Sequence, residues 1–85
     1  MKEIRRRHTP YRKFKAFLVE QGIEQREVAK LLEKSVSALN QNLNGTGGDF
    51  SLTEVRKICC AYNISSDAYF VHHGFENDNY KIGIG

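Results

Sequence analysis

Ser37, Asn40, Gln41, Asn42 and Asn44 stand close together in the segment 35–45, whose strong apolar residues are Leu39 and Leu43, four positions apart. Four positions is about one helical turn, so a helix here packs by a narrow stripe and shows amides elsewhere. An amide carries a donor and an acceptor side by side, which matches the edge of adenine, and a hydroxyl such as that of Ser37 can bond several bases. Val36 can meet a thymine methyl. The chemistry on offer is recognition of base edges in a DNA major groove. Helices rich in Asn and Ser also occur simply as solvated faces, and the helix alone leaves that alternative open.

The elements that must hold this segment are short helices. Thr9 before Pro10 is a helix start, with Thr as N-cap and Pro at the first helical position. Tyr11, Phe14, Phe17 and Leu18 then mark one face of a helix running to about Gln21, and Gly22 stops it. A second helix is expected from about Gln25 to Leu32. Ser35 caps the third and Gly45 closes it. After the loop Gly45-Thr46-Gly47-Gly48-Asp49, the run Ser51-Leu52-Thr53-Glu54 is a capping-box pattern. The fourth helix places Leu52, Val55, Ile58, Cys59 and Tyr62 on its inner side, and Asn63 can end it. Ser65 or Ser66 starts a fifth, with Tyr69 and Phe70 expected to bury against the first helix or in a dimer interface. Tyr80–Gly85 alternates in the manner of a short strand or a frayed tail. The expected fold is all-α, a compact five-helix bundle.

With 85 residues the chain has room for one small domain, not for a catalytic domain beside a binding domain. Net charge is +3, but residues 1–15 hold seven basic residues against Glu3 alone, a net +6, leaving −3 on the rest. A basic end on a mildly acidic body suggests an anionic partner for that end, or a solubilising tail. The division expected is a basic N-terminal arm over 1–9, a helical domain over 10–73, and a C-terminal tail or short strand over 74–85 with scope for self-association. No membrane span or signal peptide is expected. Adjacent Cys59 and Cys60 are poorly placed to bridge each other, which fits a reducing cytoplasm.

Gly22 through Leu32, with Gln25 and the pair Val28-Ala29, resembles the first half of the Xre/Cro helix-turn-helix. Ser35-Val36-Ser37-Ala38-Leu39-Asn40-Gln41-Asn42-Leu43-Asn44-Gly45 resembles its recognition helix, and Ser51 through Phe70 the helix pair that follows. The resemblance spans about residues 10–70. The run Leu39-Asn40, Leu43-Asn44-Gly45 is similar to small phage and prophage proteins of Gram-positive bacteria. It implies a sequence-specific transcriptional regulator of double-stranded DNA, most simply a repressor, with the helix Ser35–Asn44 in the major groove. Val36, Ser37 and Gln41 match positions that read base edges, and helical geometry adds Asn40. Gln25, Asn44 and Thr46 match backbone-contacting positions. Arg5, Arg6 and Arg7 precede the first helix as minor-groove arms do in some DNA-binding domains. Many relatives bind as dimers on paired half-sites, so a homodimer is a candidate assembly. Three positions depart from the pattern: Glu24 replaces the usual Ser or Thr cap, Glu33 a glycine in the turn, and Asn42 an aliphatic residue, with Leu43 taking over the packing.

Other constellations are weaker. Cys59-Cys60 with His72-His73 supplies four candidate zinc ligands, but the spacing fits no common zinc motif, so no metal or other cofactor is expected. A Cys-His pair lacks a third group to orient it, and Gly45–Gly48 lacks the lysine of a phosphate loop, so the chain is not expected to be an enzyme. Two alternatives to a specific regulator remain: a protein-interaction module on the same scaffold, of antirepressor or antitoxin type, and a non-specific architectural DNA binder.

Overall fold

The computed structural model describes residues 7–71. Among the described residues the fold is all-helical, with α1 Arg12–Gln21, α2 Gln25–Leu32, α3 Val36–Asn44, α4 Leu52–Tyr62 and a single π-helical turn, Asp67–Val71. α2 packs on both α3 and α4, and the π turn packs on α1. The core joins Phe14 and Leu18 of α1, Val28, Ala29 and Leu32 of α2, Leu39 and Leu43 of α3, Ile58 of α4, and Phe70. Burying an aliphatic or aromatic side chain of this size stabilises a fold by roughly 1.5–3 kcal/mol, so every element is tied to the next through this one cluster.

Local signals set most helix ends. α1 stops where Gly22 turns left-handed, at φ 69°. Ser51 and Glu54 form the reciprocal capping box: the Ser51 Oγ accepts from the Glu54 N–H at 3.1 Å, and the Glu54 Oε1 accepts from the Ser51 N–H at 3.0 Å. α4 ends on Asn63, itself left-handed at φ 54°. The π turn starts with the Ser65 Oγ accepting from the Ala68 N–H at 3.4 Å. Phe70 lies with its ring centroid 5.0 Å from Phe14, and Tyr69 with its centroid 5.5 Å from Phe17. Both aromatics therefore pack on the first helix of their own chain. Phe75 and the alternating segment 80–85 lie outside the described residues.

Two expectations are corrected. The first helix does not begin at Pro10. Tyr11 occupies the N-cap with no side-chain cap bond, and α1 starts at Arg12. The Tyr11 N–H donates instead to the Leu43 carbonyl at the end of α3, 2.9 Å away, and its ring packs between Phe50 and Phe70. A long-range bond and an aromatic cluster outweigh a cap worth about 1 kcal/mol. Leu52 is likewise not on the inner side of α4: as the first helical residue it is 64% exposed, and α4 is anchored by Ile58.

Between α2 and α3, Glu33 adopts φ 57° and ψ 47°. Its N–H still donates to the Lys30 carbonyl at 3.1 Å, and the Lys34 N–H donates to the Ala29 carbonyl at 3.0 Å. The left-handed conformation costs a residue with a Cβ about 1–2 kcal/mol. Replacing Glu33 by Gly is expected to raise unfolding stability by about 1 kcal/mol, partly offset by the greater freedom of glycine in the unfolded chain. Urea denaturation of the two proteins checks this, and an unchanged midpoint would mean that Glu33 carries no strain.

Candidate nucleic-acid interface

α3 is presented by its two anchors. The Ser35 Oγ accepts from the Ala38 N–H at 3.0 Å and starts the helix. Leu39 and Leu43 are fully buried. At about 100° per residue, positions 36, 37, 40, 41 and 44 fall within an arc of roughly 140° that starts at the edge of the leucine stripe, with Val36, and reaches its far side at Gln41. Ser37, Asn40 and Gln41 are exposed there, Val36 is 46% exposed, and Asn44 is half-buried at the rim. The four sequence-derived base readers thus share one face. α3 itself carries no charged side chain.

Asn42 does not belong to that display. It is 5% exposed and sits on the inner side of α3. Its Nδ2 donates to the Gly48 carbonyl at 2.8 Å, and its Oδ1 accepts from the Lys34 Nζ at 2.6 Å. Lys34 also donates to the Glu54 Oε2 at 2.8 Å, and its Nζ lies 5.7 Å from the centre of the Phe50 ring. One buried amide thereby joins the turn before α3, the loop after it and the cap of α4. Burial pushes the Glu54 carboxyl up, but the bonds from Lys34 and the Ser51 backbone prevail and hold it below its ordinary value.

The flanks of the face are bonded to it. Gln25 opens α2, and its Oε1 accepts from the Asn40 Nδ2 at 3.3 Å. The Asn40 Oδ1 accepts from the Asn44 Nδ2 at 3.0 Å, and the Asn44 Oδ1 accepts from the Lys15 Nζ at 2.5 Å. No side chain caps α2, as the glutamate at position 24 implies. Thr46 is exposed just past α3, with its N–H on the Gln41 carbonyl. The chain before α1 docks on the same end of α3. The N–H groups of Arg7 and His8 both donate to the Gly45 carbonyl, and the His8 ring lies between the Thr9 and Gly48 carbonyls. Tyr11 hydroxyl donates to the Asp49 carboxylate, and burial first, then this bond, pushes the phenol well above its usual range. Arg7 is therefore held by its backbone at the C-terminal end of α3, and Arg5 and Arg6 lie outside the described residues.

A helix-turn-helix family model matches residues 14–69, a span that runs from α1 to the π turn. The chain belongs to the Xre/Cro-like helix-turn-helix family. No curated protein and no solved structure matches it. The family is a DNA-binding regulatory domain, so this is a DNA-binding helix-turn-helix regulator in which α2 and α3 form the helix-turn-helix pair. Around that pair the sequence missed three contributors. Lys15 enters only in the basic charge of residues 1–15, and nothing in the local sequence marks Lys34 or His8 as a contact. A lone Lys on the inner half of α1 and a polar residue between two buried leucines were the available hints.

The remaining candidate groups stand apart. Cys59 is half-buried, with its thiol pushed up by burial, and Cys60 is exposed. His72 and His73 lie outside the described residues. Among the described residues no helix is long and apolar enough to cross a membrane.

Proposed function

We propose that the chain is a sequence-specific regulator of transcription, a repressor of phage or prophage type. α3 enters the major groove of double-stranded DNA. Val36, Ser37, Asn40 and Gln41 meet base edges, the amides pairing with adenine and Val36 with a thymine methyl. Gln25, Asn44 and Thr46 contact the sugar-phosphate backbone, and Arg5, Arg6 and Arg7 add phosphate or minor-groove contacts that carry no sequence information of their own. A homodimer places two α3 helices on half-sites about 34–36 Å apart. The observation that carries the reading is an uncharged, exposed face of amides and a hydroxyl on a helix locked into the core by Leu39 and Leu43. Occupancy of an operator then blocks polymerase.

Selection from a random duplex library at near-physiological salt tests this. The expected product is an enriched motif, palindromic if the protein binds as a dimer. On that duplex Gln41→Ala is expected to lose about 1–3 kcal/mol of binding and to relax preference at one base position. Binding without enrichment would replace this reading by an architectural role. No binding would replace it by the protein-interaction module.

A further inference from the structure

Lys15 is on α1, outside the helix-turn-helix pair, yet its ammonium is hydrogen-bonded to the rim of the exposed α3 face. We propose that Lys15 is a positioning residue that sets the orientation of the Asn44, Asn40 and Gln25 amides through the relay Lys15–Asn44–Asn40–Gln25. The proposal deepens the reading of α3 as the DNA-facing helix and rests on it.

The argument is one of hydrogen-bond polarity. An ammonium donates and never accepts, whereas an amide has a donor end and an acceptor end. Lys15 therefore holds the Asn44 Oδ1, at 2.5 Å. That turns the Asn44 Nδ2 towards Asn40, whose Oδ1 accepts from it at 3.0 Å. The Asn40 Nδ2 is then directed at the Gln25 Oε1, 3.3 Å away. Direction is fixed at Lys15 on α1 and propagates through two amides of α3 to one of α2.

The far end has a consequence for recognition. With its Oε1 engaged, Gln25 has only the Nε2 to offer outwards, and among the described residues nothing accepts from it. An NH₂ group suits a phosphate oxygen, which only accepts. Asn40 keeps one Nδ2 hydrogen and one Oδ1 lone pair beyond the relay. One donor and one acceptor are what a bidentate contact to the adenine N7 and N6 groups uses. If position 15 offered an acceptor, the relay would invert and Gln25 would turn a carbonyl oxygen to the phosphate. Lys15 thus couples an α1 side chain to both the backbone-contacting and the base-reading amides without itself touching a base.

The test uses the full chain and the duplex recovered by selection, with binding measured over a range of salt concentrations. Lys15→Met is compared with Lys13→Met, which removes an exposed charge from the same helix, and with Lys15→Arg, which keeps a donor-only group. Lys15→Met is expected to weaken binding about tenfold more than Lys13→Met, the size of one lost charge-assisted hydrogen bond. Lys15→Arg is expected to restore most of that loss. In a Gln25→Ala background the extra effect of Lys15→Met is expected to shrink, because the outward end of the relay has gone. In the free protein, the side-chain NH₂ resonances of Asn40 and Asn44 are expected to move to solvent-like positions in Lys15→Met only. Equal losses for the two lysine variants, or additive losses with Gln25→Ala, would overturn the relay as a recognition device. Unmoved NH₂ resonances would overturn the relay itself. If wild type selects no duplex, the reading of α3 as a DNA-facing helix fails, and the recognition role of Lys15 falls with it.

Discussion

Gly45→Ala is expected to destabilise the domain by roughly 2–5 kcal/mol, from a left-handed conformation and a steric overlap acting together. Gly45 closes α3 at φ 77°, where a residue with a Cβ is strained. The added methyl would also run into the carbonyl of His8, which is packed against it as the chain enters α1. Gly22 supplies the control: its φ is 69°, but a Cβ there meets nothing. Gly22→Ala should therefore cost only the conformational part, about 1 kcal/mol. A domain of this size has about 4–12 kcal/mol in total by the usual per-residue scaling, so the Gly45 variant forfeits a large share. Urea denaturation of both variants measures the difference. Equal costs would show that residues 7–8 are not packed on the end of α3.

Asn42→Leu is expected to destabilise the domain by about 2–3 kcal/mol, although it places an apolar side chain at a buried position. Leucine can neither donate to the Gly48 carbonyl nor accept from the Lys34 Nζ. The ammonium keeps Glu54 but loses a partner in a half-buried site, and the loop after α3 loses its tether. Changing Lys34 to Met in the same protein should recover part of the loss, because replacing both partners by apolar groups removes the stranded donor. The double variant also frees Glu54 from the bond that holds its carboxyl low. Its acid limb should therefore flatten, since stability that a depressed carboxyl supplies is present above its unfolded value and is lost as pH falls through the folded one. A neutral or stabilising Asn42→Leu would mean that the polar spine under α3 contributes nothing.

The site was legible where its determinants are local. Val36, Ser37, Asn40 and Gln41 share a face because helical spacing alone gathers them into one arc running from the edge of the Leu39–Leu43 stripe to its far side. Asn42 was read wrongly for an instructive reason. Its place in the helix puts it on the flank of the buried stripe, and an amide there is solvated or buried according to whether a partner waits inside. Lys34 and Gly48 are that partner pair, and nothing in the neighbouring sequence announces them.

By itself the sequence determined the limits of α2, α3 and α4, the turn at Glu33 and the composition of the exposed face of α3. Caps, left-handed stops and apolar periodicity act over a few residues and need no knowledge of the rest of the chain. Only the tertiary structure decided where α1 begins, why Leu52 is outside, and which group directs the amides. The Tyr11 contact to Asp49 spans 38 positions and the Lys15 contact to Asn44 spans 29. Such pairs form only after the core has brought α1 against the end of α3, and a hydrogen bond made there overrides a local preference of similar size.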